Sequence, residues 1–148
     1  MYLLEYPEIK GPTTIGKHKD CIKLATIDLS VGRSGECVEI GSNKRNTGGT
    51  RKCSPIHVTK QLDHVSIDII QKALKGSACD AKIHFLGNNE AYFMIELKDC
   101  MINQYQMSGH GDVPHEKFYL TFSSVHYRST PPNTTPRSTM LNLMTGEC

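Results

Sequence analysis

Apolar and polar positions alternate through much of this chain, and the breaks in the alternation divide it into elements. Tyr2, Leu4 and Tyr6 fall on one side and Leu3 and Glu5 on the other, the two-residue period of a strand with one packed face. Pro7 and the Gly11-Pro12 pair end it. Residues 21–31 predict a second strand with Ala25, Ile27, Leu29 and Val31 in phase and Ile22 and Leu24 out of phase, which predicts a bulge or twist near Leu24. A third strand is expected at 54–60, where Ile56 and Val58 share a face and Pro55 stands near the beginning. Ala81, Ile83 and Phe85 alternate with Asp80, Lys82 and His84; Gly87-Asn88-Asn89 then offers a reversal. Beyond it Ala91, Phe93, Ile95 and Leu97 share one face, a hairpin pattern. The run resumes or bends through 100–107, and 108–112 reads as a loop. A last long strand at 116–128 sets Phe118, Leu120 and Phe122 together, then Val125 and Tyr127, with a bulge expected at Ser123-Ser124.

One segment changes period. Ser66 predicts a helix cap with Ile67 as first residue, Val65 meeting Ile70 as a hydrophobic staple, and Ile67, Ile70 and Leu74 as the buried stripe. Asp68 near the start, Lys72 and Lys75 near the end and Gly76 as a stop agree with the helix dipole and with a left-handed exit. Residues 32–52 are rich in Gly, Ser and Asn and carry Lys44, Arg45, Arg51 and Lys52; they read as a long loop, and loops of that length often bind partners. From Ser129 onward Pro131, Pro132 and Pro136 sit among small polar residues, so 129–148 is expected to be a tail without regular structure, in which Met140, Leu141, Leu143 and Met144 offer an apolar docking strip. Six or more strands with one short helix predict a mainly β fold: an antiparallel β-barrel with an extended loop, closure removing the exposed edges. A two-sheet sandwich is the alternative. The expected division is a 1–128 barrel domain and a 129–148 tail.

The 148 residues suit one hydrophobic core. Seventeen Lys and Arg against fifteen Asp and Glu give a net charge of +2, too small a surplus to imply nucleic acid. Glu5 follows Met1–Leu4 at once, and no run approaches the roughly 20 apolar residues of a membrane span. The expectation is a chain made in the cytoplasm and exported, where it is exported, without a signal peptide.

The six cysteines at 21, 37, 53, 79, 100 and 148 are dispersed without a CxxC pair, and read as small buried hydrophobes rather than a disulfide framework. No HExxH, GxSxG or P-loop is present, so neither catalytic nor metal nor cofactor residues are assigned, and the chain is read as a non-enzyme. His57 and His84 on polar strand phases are candidate surface or subunit contacts, and His18 with Lys19 reads as a site for an acidic group or as a solvated turn. The Lys44, Arg45, Arg51 and Lys52 group lacks the interleaved aromatics of a single-strand-binding surface, and an acidic neighbouring subunit fits it better. A nucleic-acid-binding or other β-barrel interaction module and, further off, a metal-dependent hydrolase are the alternatives.

Several ordered motifs carry a resemblance. They run from Gly16-Lys17-His18-Lys19-Asp20 through Thr59-Lys60-Gln61-Leu62-Asp63 ahead of Ser66, and Leu97-Lys98-Asp99, to Asn103-Gln104-Tyr105. Pro114-His115-Glu116 and the Phe118-Leu120-Phe122 to Val125-Tyr127 run complete the series. In their order and spacing, residues 2–128 resemble the haemolysin-coregulated protein (Hcp) family, the inner tube of bacterial type VI secretion systems and similar to phage tail-tube proteins. The chain departs from the pattern at Cys21, where the family often has Trp, and at Ser66-Ile67, where it often has Ser-Pro. The resemblance implies homo-hexameric rings, stacked copies forming a tube, and sheath, spike and effector proteins as partners. It implies no stable membrane insertion, and secretion on contraction of the sheath. The 32–52 loop is then expected at a ring-to-ring contact.

Overall fold

The computed structural model describes residues 1–33, 51–109 and 111–143. One nine-stranded antiparallel sheet and one helix, α1 (Ser66–Lys75), make up most of it. Along the sheet the order is β4 (Ile22–Leu24), β1 (Tyr2–Glu5), β9 (Cys79–Gly87), β10 (Glu90–Ser108), β11 (His115–Thr121), β8 (Ile56–Gln61) and β5 (Thr26–Asp28). β12 (Ser124–Ser129) pairs with β10, and β13 (Arg137–Asn142) pairs with β12. Two short ribbons stand beside it: β2 (Thr14–Ile15) with β3 (His18–Lys19), and β6 (Val31–Arg33) with β7 (Arg51–Cys53).

The strand expected at 21–31 is two strands, and the phase slip at Leu24 has a cause beyond a bulge. β4 pairs with β1, β5 pairs with β8, and Ala25 between them donates its N–H to the Thr59 carbonyl at 2.7 Å. Ile22 and Leu24 are buried in the first pairing and Ile27 is half-buried in the second, whereas Leu29 and Val31 are exposed. The two ends of the sheet order are therefore consecutive in the chain.

The hairpin stands as read. Phe93 pairs with Phe85, Ile95 with Ile83 and Leu97 with Ala81. Asn88 and Asn89 both have positive φ (53° and 64°), the two-residue turn whose twist suits a hairpin. β10 spans 19 residues and serves two neighbourhoods, β9 and β12 along its first half and β11 along its second. Its register slips at Ala91/Phe93, at Leu97/Cys100 and at Asn103/Gln106, with Asp99 (φ 50°) and Gln104 (φ 49°) in left-handed conformations at the last two. Each slip bends and twists the strand locally. The interruption expected at Ser123-Ser124 falls at Phe122-Ser123, between β11 and β12, where the Ser123 N–H donates to the Lys98 carbonyl at 2.9 Å.

Four further expectations are corrected. Val65, not Ser66, occupies the cap position of α1 and makes no side-chain cap bond; the Asp63 carboxylate accepts the Val65 N–H at 3.1 Å, and Ser66 is buried inside the first turn. The buried stripe is Val65 and Ile69 with Ala73 against the core, while Ile67 and Leu74 are 70% and 84% exposed, because the helix lies on β10 by its other face. Gly76 ends the helix as expected, at φ 66° with its N–H on the Lys72 carbonyl. Residues 137–142 of the expected tail form β13, and Leu141 packs against the core. The ends of the 32–52 loop are likewise paired, Arg33 with Arg51 and Gly32 with Lys52.

The main core runs from Leu4, Tyr6 and Ile22 through Ile56, Val58, Ile69, Ile83 and Ile95 to Phe118, Leu120 and Val125. Leu3, on the opposite face of β1, is equally buried, with Cys21 and Leu86 in a second cluster flanked by Ile15 of the β2–β3 ribbon. Gly11 is required here: a Cβ on it would stand 2.1 Å from the Cys21 carbonyl oxygen.

Candidate assembly surfaces and their internal supports

Lys44 and Arg45 lie outside the described residues, and Arg51 and Lys52 lie on β7, one arm of a ribbon continuing from β5. Lys19 is exposed on β3. His18, next to it, packs against His84 with ring centroids 4.5 Å apart and the planes tilted by 51°. His84 was expected to face outward; it is 7% exposed, because the β2–β3 ribbon covers that face of β9, and its Nε2 is 2.9 Å from the Glu5 carboxylate. Burial lowers the His18 pKa from its ordinary value, and the neighbouring His84 and Lys17 push the same way against Glu5. His57, on β8, stacks flat on Tyr119 of β11 at 4.0 Å, and the Lys117 ammonium stands 5.5 Å from the Tyr119 ring centroid. His18 and His84 are thus brought together, and His57 belongs to a separate aromatic site.

A buried charge network sits at the N-terminal end of α1, and the polar-apolar pattern gave no sign of it. Lys60 and Glu116, each 1% exposed, are cross-strand partners on β8 and β11 with Nζ and Oε2 2.5 Å apart. Lys60 Nζ also donates to the Gln61 carbonyl at 2.8 Å and to Asp63 Oδ1 at 2.9 Å, with Ser66 Oγ at 3.3 Å. The other Glu116 oxygen accepts from the Tyr105 hydroxyl. Burial and that hydrogen bond raise the Tyr105 pKa, which keeps the phenol a donor. The β10 register slip at Asn103/Gln106 lies beside Tyr105, where such a slip re-aims a side chain. Two of the motifs quoted above, Thr59–Asp63 and Pro114–Glu116, hold the charged members. That coincidence was the signal available in the sequence. Beside Asp63 a concavity of about 380 Å³ opens among Pro12, Lys23, Leu24, Ala25, Gln61 and Leu62.

The network is a strut rather than a reactive centre: each charge is met by its opposite and each donor is spent. Among the described residues no group of three or more His, Cys, Asp or Glu side chains converges as metal ligands would. No helix among them is long and apolar enough to cross a membrane.

The chain is a mainly β fold with one helix laid on β10 and a buried charge network bracing it from within. The family profile described as "Type VI secretion system effector, Hcp" matches residues 3–128, and the chain belongs to that family. It is a structural and secreted tube subunit of a type VI secretion system. Its fold is similar to a solved type six secretion system protein (TM-score 0.87, 20% identity, 99% of this chain and 97% of that one). It is also similar to Hcp1 from Salmonella typhimurium (TM-score 0.81, 16% identity, 99% and 96%) and to a type VI secretion system effector from Yersinia pestis (0.80, 14%, 96% and 99%). No curated protein sequence matches.

Proposed function

We propose that six copies close into a ring, that rings stack into the inner tube, and that the tube carries or accompanies effectors when a sheath contracts and drives it, with its spike, out of the cytoplasm. The family match over 3–128 carries this reading. In it the nine-stranded sheet closes into a barrel, supported by the chain continuity of β4 and β5 through Ala25 and by the three register slips of β10. Repeated heterologous contacts close a ring, and a second set joins ring faces.

The 32–52 loop, with Lys44, Arg45, Arg51 and Lys52, is assigned to the ring-to-ring contact, and His18, Lys19, His57 and His84 to subunit or lumen surfaces. Residues 1–128 are assigned to the family's barrel domain and 129–148 to a C-terminal tail, whose strand β13 lies on β12. Native mass spectrometry of reduced, untagged protein across a concentration series tests the ring: a dominant six-subunit mass is expected, and a persistent monomer overturns it. Deleting residues 43–50 is expected to keep the ring and weaken stacking; unchanged tube length in electron micrographs overturns the loop's role.

A further inference from the structure

Cys79 and Cys100 are directly opposed on β9 and β10, just past the slip at Leu97/Cys100. Opposed residues of an antiparallel pair share a face, with Cα atoms about 4.5–5.5 Å apart, inside the roughly 4.4–6.8 Å span of a disulfide. Both side chains face the main core. Tyr6 ties the place to the core: its hydroxyl donates to the Cys100 carbonyl at 3.3 Å. Both cysteines are free thiols in the structure. One is buried and the other half-buried, and the ladder sets them face to face.

We propose that Cys79 and Cys100 form a cross-strand disulfide when the chain leaves reducing for oxidising surroundings. The change of surroundings rests on the secretion reading; the bond chemistry does not. Cys79 is half-buried and Cys100 fully buried, so Cys79 is the sulfur an oxidant reaches first. Its thiolate attacks a low-molecular-weight disulfide of the glutathione class, releasing one thiol and leaving a mixed disulfide on Cys79. Cys100, whose thiol burial pushes up to about 12, enters second: its sulfur bonds Cys79 Sγ while its proton goes to the departing thiolate. In sum, two protein thiols are oxidised and one small disulfide is reduced to two thiols. The bond would pin β9 to β10 where β10 leaves one set of neighbours for another.

The test uses the full chain, purified reduced and incubated in oxidised and reduced glutathione. It is then acid-quenched, unfolded and alkylated, and its peptides are mapped without reduction. A Cys79–Cys100 linkage within one chain is expected in most molecules, absent from Cys79→Ser. Cys100→Ala is expected to hold a glutathione adduct on Cys79. Both thiols alkylated in the oxidised wild type, or Cys79 linked to any other cysteine, overturns the proposal; if Cys100→Ala does not fold, the wild-type and Cys79→Ser maps decide. The ring reading fails separately: an intrachain linkage in a protein that stays monomeric when reduced sustains this proposal and sinks that one.

Discussion

Removing Lys60 leaves the Glu116 carboxylate charged in a site 1% exposed, with too little water to solvate it, whereas removing the Glu116 charge leaves Lys60 its ion pair with Asp63 at 2.9 Å. Lys60→Met is expected to cost about 3–5 kcal/mol, read from urea unfolding, and Glu116→Gln less than Lys60→Met, whereas the apolar double replacement recovers much of the Lys60→Met loss. Tyr105→Phe deletes one donor to a charged acceptor and should cost about 1–3 kcal/mol. A Lys60→Met protein as stable as wild type would show that the pair braces nothing. His18 makes a pH prediction of opposite character. Its folded pKa lies below the ordinary 6.5, so the unfolded chain binds the proton more readily, and stability falls as pH drops below about 6.5. His18→Gln should flatten part of the difference between urea midpoints at pH 7.5 and 5.5; an unchanged difference would rule the group out.

Short elements made by neighbouring residues were legible in the sequence, and those made by distant ones were not. The β9–β10 turn follows from Asn88-Asn89, which tolerate the left-handed region, and the end of α1 follows from Gly76. Asn89→Ala is expected to cost about 1–2 kcal/mol by forcing a Cβ-bearing residue without a turn-forming side chain into that conformation. The helix face was misjudged because Ile67, Ile70 and Leu74 and the set Val65, Ile69 and Ala73 both have helical spacing; only the position of β10 chooses between them. Ile67→Lys and Leu74→Lys should therefore change monomer stability by less than about 0.5 kcal/mol. A loss of several kcal/mol would place the helix differently. β13 escaped because Pro131, Pro132 and Pro136 lie in and beside its turn, while its strand residues mix polar and apolar without a clean period. The charge network escaped because its members come together from separate strands, although the motifs that revealed the family run through it. Asp99 and Gln104 stand in such motifs as well, at slips in β10 where the backbone takes a left-handed conformation.

At the scale of the molecule, β10 contacts β9, β11, β12 and α1, so separate parts of the fold share one spine. Urea unfolding followed by far-ultraviolet circular dichroism and by tyrosine fluorescence is expected to give coincident, single transitions. Two separated transitions would mean that the β12–β13 flap or the β2–β3 ribbon opens by itself. The fold is shared with structures only 14–20% identical over nearly their whole length, so most positions accept replacement. The Lys60–Glu116 strut is a different kind of position. Replacing Lys60 alone strands the Glu116 carboxylate, whereas Glu116 can change first because Asp63 still holds the ammonium. Exchange of the pair is therefore expected to run in one order, Glu116 before Lys60, which makes the strut a ratchet on the routes open to the sequence rather than a bar to change.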